Sequence, residues 1–460
     1  MKKMRLILLA AGMMVSSASL MFTSCTKEGP AGPAGANGTN GTNGTNGADG
    51  KDANETCKIC HAANVVDAIA VEFQMSKHNW GAAAFEEAGN ASCGPCHEQK
   101  AYIYVVKNNI PATFTFNSTT GKWVNDYSSV PSDAIGAIGC WTCHSSLHTT
   151  YDTADIALTT VAPVAMTMWG GAKTINLPAD GGQSHLCVKC HQPRPLTATA
   201  AYDFSSRLIN YDSLKNFPMV MFYDTVAGAQ NKNIRPSYRM HVHYGPVGAV
   251  MAGMGAIEFP GSRTYANSKH TEVASCQDCH MAQPMYGVAG GHAFNMRNAI
   301  ESALGSSTTW NFNGCNTADC HGADPLDKES ALFKDTRTEI KGLLDDLAAK
   351  INSCAPEADI FHSATVDEGN LWAGITTNNY DGYMDIYDAG SNPEGYWRNP
   401  GVNTPVNNAK PKFPKLLNVQ MGAIINFQFC LREYSLGIHN TKYVKALLVN
   451  TKEALEAAGL

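Results

Sequence analysis

Residues 268–281 read SKHTEVASCQDCHM, and two features in them organise the rest of the chain. Cys276 and Cys279 are separated by two residues, and His280 follows directly. Four other segments repeat that pattern: Cys57-Lys-Ile-Cys60-His61, Cys93-Gly-Pro-Cys96-His97, Cys140-Trp-Thr-Cys143-His144 and Cys187-Val-Lys-Cys190-His191. C-x-x-C-H is the attachment signature of c-type haem. Two thiols within one helical turn can add across the two vinyl groups of a haem, and the next residue then lies under the iron as its proximal imidazole. Structural zinc is the rival use of paired cysteines, but zinc has no need of a histidine after every pair. With 15 His in 460 residues, five placements out of five are not chance.

A sixth segment, Cys315-Asn-Thr-Ala-Asp-Cys320-His321, is wider. Four residues separate its thiols, yet a histidine again follows the second one. It is read as a haem site with a bulged loop. The expected cofactors are therefore six covalently bound haems. Their proximal ligands are His61, His97, His144, His191, His280 and His321.

Nine histidines remain for the opposite face of each iron. Ser76-Lys77-His78 precedes the second motif as Ser268-Lys269-His270 precedes the fifth, which suggests a repeated role. His292 lies in GGHAFNMRN (290–298) and His439 in SLGIHNTKY (435–443). His148 and His185 sit too near their own motifs to reach over them and are expected to cap neighbouring haems. The expected distal ligands are His78, His148, His185, His243, His270, His292 and His439. His241 and His362 are read as non-ligands.

The N-terminus gives the compartment. Lys2, Lys3 and Arg5 precede an apolar stretch from Leu6 to Leu20, and small residues then lead to Cys25. This reads as a lipoprotein signal peptide over residues 1–24, with lipid on Cys25 as the membrane attachment. Over residues 25–52, Gly recurs at every third position from Gly29 to Gly50. The period is that of collagen, but proline is scarce, so a flexible tether of roughly 25–30 Å is expected. The localisation that follows is an exported lipoprotein at the outer membrane or cell surface, with the periplasmic side left open. A net charge of −6 and the lack of any Lys/Arg run give no reason to expect a nucleic-acid partner.

Residues 53–330 are expected to form the six-haem region. Residues 331–460, periodic over 331–352, 414–436 and 441–457, are expected to be helical and to donate a distal histidine. A β-hairpin is expected within 101–130. The fold class expected is mainly α with much irregular coil and a small β-hairpin region, the haem chain serving as core. Cys354 and Cys430 are left over and could form a disulfide in an oxidising compartment.

These motifs, with His243-Tyr-Gly-Pro246, Gly253-Met-Gly-Ala-Ile-Glu258 and the segments around His270, His292 and His439, resemble the multihaem c-type cytochromes. That group includes extracellular electron-transfer cytochromes, octahaem tetrathionate reductase and pentahaem nitrite reductase. The resemblance implies haems packed in stacked and perpendicular pairs and a C-terminal helical segment giving a distal histidine. The nitrite reductases bind their active haem through a motif ending in Lys, and no such motif occurs here. The expected function is electron transfer to redox partner proteins or an extracellular acceptor, with a homo-oligomer or filament among the expected assemblies. The alternative is reduction of nitrite, hydroxylamine or a sulfur oxyanion at one five-coordinate haem, with Arg263, Arg297 and Tyr244 near it.

Overall fold

The computed structural model describes residues 61–80, 90–119, 122–130, 138–150, 152–196, 208–224, 242–243, 245–302, 305–354, 361–363, 380–384 and 415–460. All belong to one unit, Ala53–Leu460. The leader, Cys25, the Gly-rich segment, Cys57, Cys60, Tyr244 and His241 lie outside the described residues.

Five helices of seven residues or more are described: α1 Ala68–Gln74, α2 Gln99–Lys107, α3 Ala331–Ser353, α4 Asn418–Leu431 and α5 Thr441–Ala457. Five antiparallel ribbons of two short strands each accompany them. β1 Phe114–Asn117 pairs with β2 Lys122–Asn125, β3 Val164–Ala165 with β4 Thr174–Ile175, and β6 Arg297–Ser302 with β7 Gly305–Trp310. β8 Phe361–Ser363 pairs with β9 Tyr380–Met384. β5 Met221–Asp224 pairs with β10 Lys415–Leu417, far along the chain.

The expected hairpin of 101–130 is half right. β1 and β2 form it, but Ala101–Lys107 is helical. Glu98 caps that helix, its carboxylate accepting from the amides of Lys100 and Ala101 at 2.7 and 2.6 Å. Ala101, Tyr102 and Val105 then share a face and bury it against Tyr127 and Val130. A helical face at i, i+1 and i+4 outweighs the β-branched composition of the segment.

The main apolar cluster joins α3, α4 and α5 to residues 164–259. The C-terminal helices and the middle of the chain thus share one core, rather than forming separate bodies. α3 contributes Ile340, Leu344, Leu347 and Ile351 from one stripe, and α5 contributes Val444, Leu447, Leu448 and Leu455. α4 is buried on every side, as a helix without an amphipathic face must be. The chain therefore has a sizeable side-chain core of its own, to which the Cys-His motifs contribute little beyond Val188.

The polar residues of α4 explain how irregular backbone is tolerated around it. Buried backbone groups must find partners. Asn426 accepts from the Ile257 amide at 2.8 Å and donates to the Ile257 carbonyl at 2.6 Å. Gln428 accepts from the Val242 amide, and Asn418 donates to the carbonyls of Ser213 and Phe217. Beyond α4, Asn440 accepts from Ser268 N and donates to the carbonyls of Val250 and Met251, while Asn450 grips both backbone groups of Arg263. Side-chain amides here replace the ladders of a sheet.

Cys354 and Cys430 are both free thiols. Cys354 turns its thiol back to the Lys350 carbonyl at 3.1 Å, and Cys430 is buried within α4. The disulfide considered from sequence is not formed.

Candidate metal centre

Each described Cys-His motif closes the same small loop. The histidine amide donates to the carbonyl of the first cysteine: His97 to Cys93 at 3.1 Å, His144 to Cys140 at 3.0 Å and His191 to Cys187 at 2.9 Å. The wide motif does likewise, with His321 N donating to Cys315 O at 2.9 Å. Its extra length is thrown outward, leaving Thr317, Ala318 and Asp319 exposed.

Five of the six motif histidines then have one non-motif histidine beside them. His191 faces His78 with ring centres 6.1 Å apart, His97 faces His243 at 6.2 Å, and His321 faces His270 at 6.3 Å. His280 faces His439 at 6.3 Å. His61 and His148 are closer, with centres 5.6 Å apart and Nε2 atoms 3.4 Å apart. His144 lies near enough to His292 to affect its protonation, alongside burial and Glu72. Two imidazoles on opposite sides of one metal, each about 2 Å from it, put their ring centres about 6 Å apart. Four of the observed separations fit that geometry, and the His61–His148 pair stands slightly closer than it requires.

The ring nitrogens agree. His144 Nδ1 bonds to the Ile156 carbonyl, His270 Nδ1 to that of Ile438 and His280 Nδ1 to that of Phe294, each at 2.8 Å. His439 Nδ1 bonds to Glu433 Oε2 at 2.6 Å. An Nδ1–H engaged in this way fixes the tautomer and leaves the Nε2 lone pair for a metal. Burial holds His78, His243, His280 and His292 below the usual imidazole range. Burial, helped by His78, His280, His439 and His97, pushes His191 down to about 3. These rings are neutral, the form that ligates. His191 is enclosed by protein yet keeps open surface, so there is room against its ring.

His185 differs from the others. Its Nε2 accepts from the Leu177 amide at 2.7 Å and its Nδ1 bonds to the Val161 carbonyl at 2.9 Å. Both nitrogens of this buried ring are taken by backbone, the arrangement of a structural strut, and no motif histidine is paired with it, which runs against the expectation that it caps a haem. His148, His78, His243, His270, His292 and His439 are the histidines brought to the motifs.

The sites adjoin one another. Cys96 Sγ approaches the Lys189 carbonyl at 3.9 Å and Cys190 Sγ the Pro95 carbonyl at 4.0 Å, joining the second and fourth motifs. Ser184 Oγ accepts from Cys276 N at 3.0 Å, and Asp180 accepts from Gln277, joining the fourth and fifth. Gly314 packs so closely that a Cβ there would meet the Asp278 carbonyl at 2.0 Å and Cys279 Cα at 3.0 Å, so the sixth lies beside the fifth. Cys143 acts likewise on Cys187 and Cys190, and Trp141 stands edge-on to His148 at 6.3 Å, so the third motif bridges the fourth and first.

Several supporting residues carried no sequence signal. Glu72, on α1, accepts from the His292 amide at 2.9 Å. Gly291 (φ +50°) lies so close that a Cβ there would meet the Glu72 carboxylate at 2.3 Å. Glu433 holds His439. The carboxylate is pushed up by burial but drawn down further by His439, the Gly437 amide and Ser435, so it is held below the ordinary range. Of the residues considered for catalysis, Arg297 stacks on Trp310 at 5.5 Å and Arg263 is exposed.

Among the described residues, no three His, Cys, Asp or Glu side chains converge on a common point. A closed zinc site needs four ligands, whereas a haem iron asks the protein for two. Also among the described residues, no helix is long and apolar enough to cross a membrane. No protein-family model, curated protein or solved structure matches the chain.

Proposed function

We propose that the chain is an exported c-type cytochrome that binds six haems and passes electrons along them at a membrane or cell surface. The observation that carries the reading is the pairing of five motif histidines with one further histidine each, at ring-centre separations of 5.6–6.3 Å, with His292 near the remaining one, His144. The thiol pairs beside them supply the covalent attachment. Bound haem iron would supply a one-electron couple.

The residues of this chain do the rest. At the five sites with that spacing, two imidazoles would hold a haem iron from both sides, leaving no position for nitrite, hydroxylamine or a sulfur oxyanion. The reductase alternative needs at least one motif histidine with nothing opposite it. Backbone carbonyls and Glu433 orient the rings, so that little has to move when charge changes. The motif contacts connect the first, third, fourth, fifth and sixth sites in series, with the second beside the fourth. The first site is open to solvent through His61 and His148, and the sixth through Cys320. Those ends suit a donor and an acceptor. A lipid on Cys25 and the Gly-rich tether would keep the body at a membrane surface.

Mass spectrometry and iron analysis of the purified mature protein test this. Six added porphyrins, six irons per chain and wholly low-spin spectra are expected. Absence of porphyrin mass, or zinc in place of iron, refutes the cytochrome reading. A high-spin component with six haems present favours the reductase.

A further inference from the structure

Arg432 and Glu433 are consecutive residues at the end of α4, and their side chains serve two different histidine pairs. Both are buried, at 1% and 0% exposure. Arg432 Nη1 donates to the Val242 carbonyl, and Arg432 O accepts from Gly245 N at 3.0 Å. The guanidinium is thereby fixed at the carbonyl preceding His243, a ring on which Arg194 bears more strongly and Arg432 also acts. Glu433 Oε2 instead accepts from His439 Nδ1 at 2.6 Å and from Ser435 Oγ at 2.6 Å, while Oε1 accepts from Gly437 N at 2.7 Å.

An iron that gains an electron loses one unit of positive charge. A fixed cation nearby favours the reduced state, and a fixed anion favours the oxidised state. A carboxylate on Nδ1–H also makes Nε2 the stronger donor, again favouring oxidised iron. Both effects are larger in a buried site than in water.

We propose that Arg432 and Glu433 bias two sites in opposite directions, raising the potential at His97–His243 and lowering it at His280–His439. The inference rests on the six-haem reading. The fourth motif touches the second through Cys96 and Cys190 and the fifth through Ser184, so it adjoins both sites. With haems bound, an electron shared among the three would settle at the His97–His243 site in preference to the His280–His439 site. No bond is made or broken.

Ring geometry lets the two sites be told apart in the intact holoprotein. The planes of His280 and His439 are 22° apart, which gives a rhombic low-spin signal in electron paramagnetic resonance. Those of His97 and His243 are 77° apart, which gives a strongly anisotropic one. A redox titration following both signals is the test. Glu433→Gln should shift one rhombic component by about tenfold toward reduction, or about 59 mV upward for a one-electron couple. Arg432→Gln should shift one anisotropic component by about as much the other way. A Glu433→Gln protein with six porphyrins and every potential within about threefold of the parent overturns the proposal while leaving the cytochrome reading intact. Should the variants fail to fold, the parent protein decides. Some rhombic component must titrate below the anisotropic ones, and the reverse order overturns the proposal. Absence of porphyrin in the parent defeats the underlying reading instead.

Discussion

His280 and His439 face each other with 22° between their ring planes, while His270 and His321 cross at 81° over the same 6.3 Å separation. Parallel imidazoles split the two iron orbitals that point between the ring planes, and crossed imidazoles leave them nearly equal in energy. The oxidised protein should therefore give a mixed low-spin spectrum. His78–His191, His97–His243 and His270–His321, at 73°, 77° and 81°, should be strongly anisotropic. His280–His439 and His61–His148, at 22° and 34°, should be rhombic. A spectrum of one type alone would contradict the ring geometry.

Removing His185 should cost stability and leave the spectra alone. His185→Ala strands the Leu177 amide and the Val161 carbonyl, each worth about 1–3 kcal/mol if it stays buried. Thermal unfolding should shift down, with all six irons low-spin. His439→Ala should do the opposite, turning one of six haems high-spin. A high-spin signal from the His185 variant would restore it as a ligand.

Asp180 gives an acid-dependent tie between the fourth and fifth motifs. Burial raises its pKa, but Ser184, Gln277 and the Gly182 amide together hold it below the usual 3.8. A depressed carboxylate stabilises the fold fully above its unfolded pKa and loses that contribution as pH falls through the folded one. Asp180→Asn should thus lower the melting temperature at neutral pH. Its gap from the parent should shrink as pH drops below about 3.8. A gap that stays constant down to about pH 2, well below the ordinary carboxylate range, would mean the ionised carboxylate contributes nothing.

Asn426→Leu keeps side-chain size but abandons the Ile257 amide and carbonyl. A loss of about 1–3 kcal/mol for each stranded group is expected in chemical unfolding. An unchanged midpoint would show that water reaches Ile257 and that the clamp contributes little.

Thiol counting checks the two leftover cysteines. On the proposed six-haem reading, which would occupy the motif cysteines, denatured, unreduced mature protein should expose two reactive thiols, Cys354 and Cys430. No reactive thiol would point to the disulfide instead.

The long helices were legible because their apolar residues repeat with the helical period, as at Ile340, Leu344, Leu347 and Ile351. Ala101–Lys107 was not, since its valines and tyrosines suit either structure and only the Glu98 cap decides. The motif histidines could be read from their neighbours in sequence. Their partners could be read as candidates but not matched, because His61 and His148 are 87 residues apart and only the fold brings them together. His185 misled because its two backbone partners, Leu177 and Val161, leave no mark on spacing. Glu433 was invisible for the same reason: nothing about a glutamate six positions before a histidine announces a contact.

The amide clamps have a consequence for how the protein is made. Asn418, Asn426, Gln428, Asn440 and Asn450 all lie downstream of the last Cys-His motif, yet they hold the backbone of residues 213–268 in place. On the proposed export route those five side chains would be the last of the contacting pieces to emerge. Until they did, the backbone of residues 213–268 would lack these clamps. On the six-haem reading, that interval is when haem attachment to the earlier cysteine pairs would meet the least folded chain.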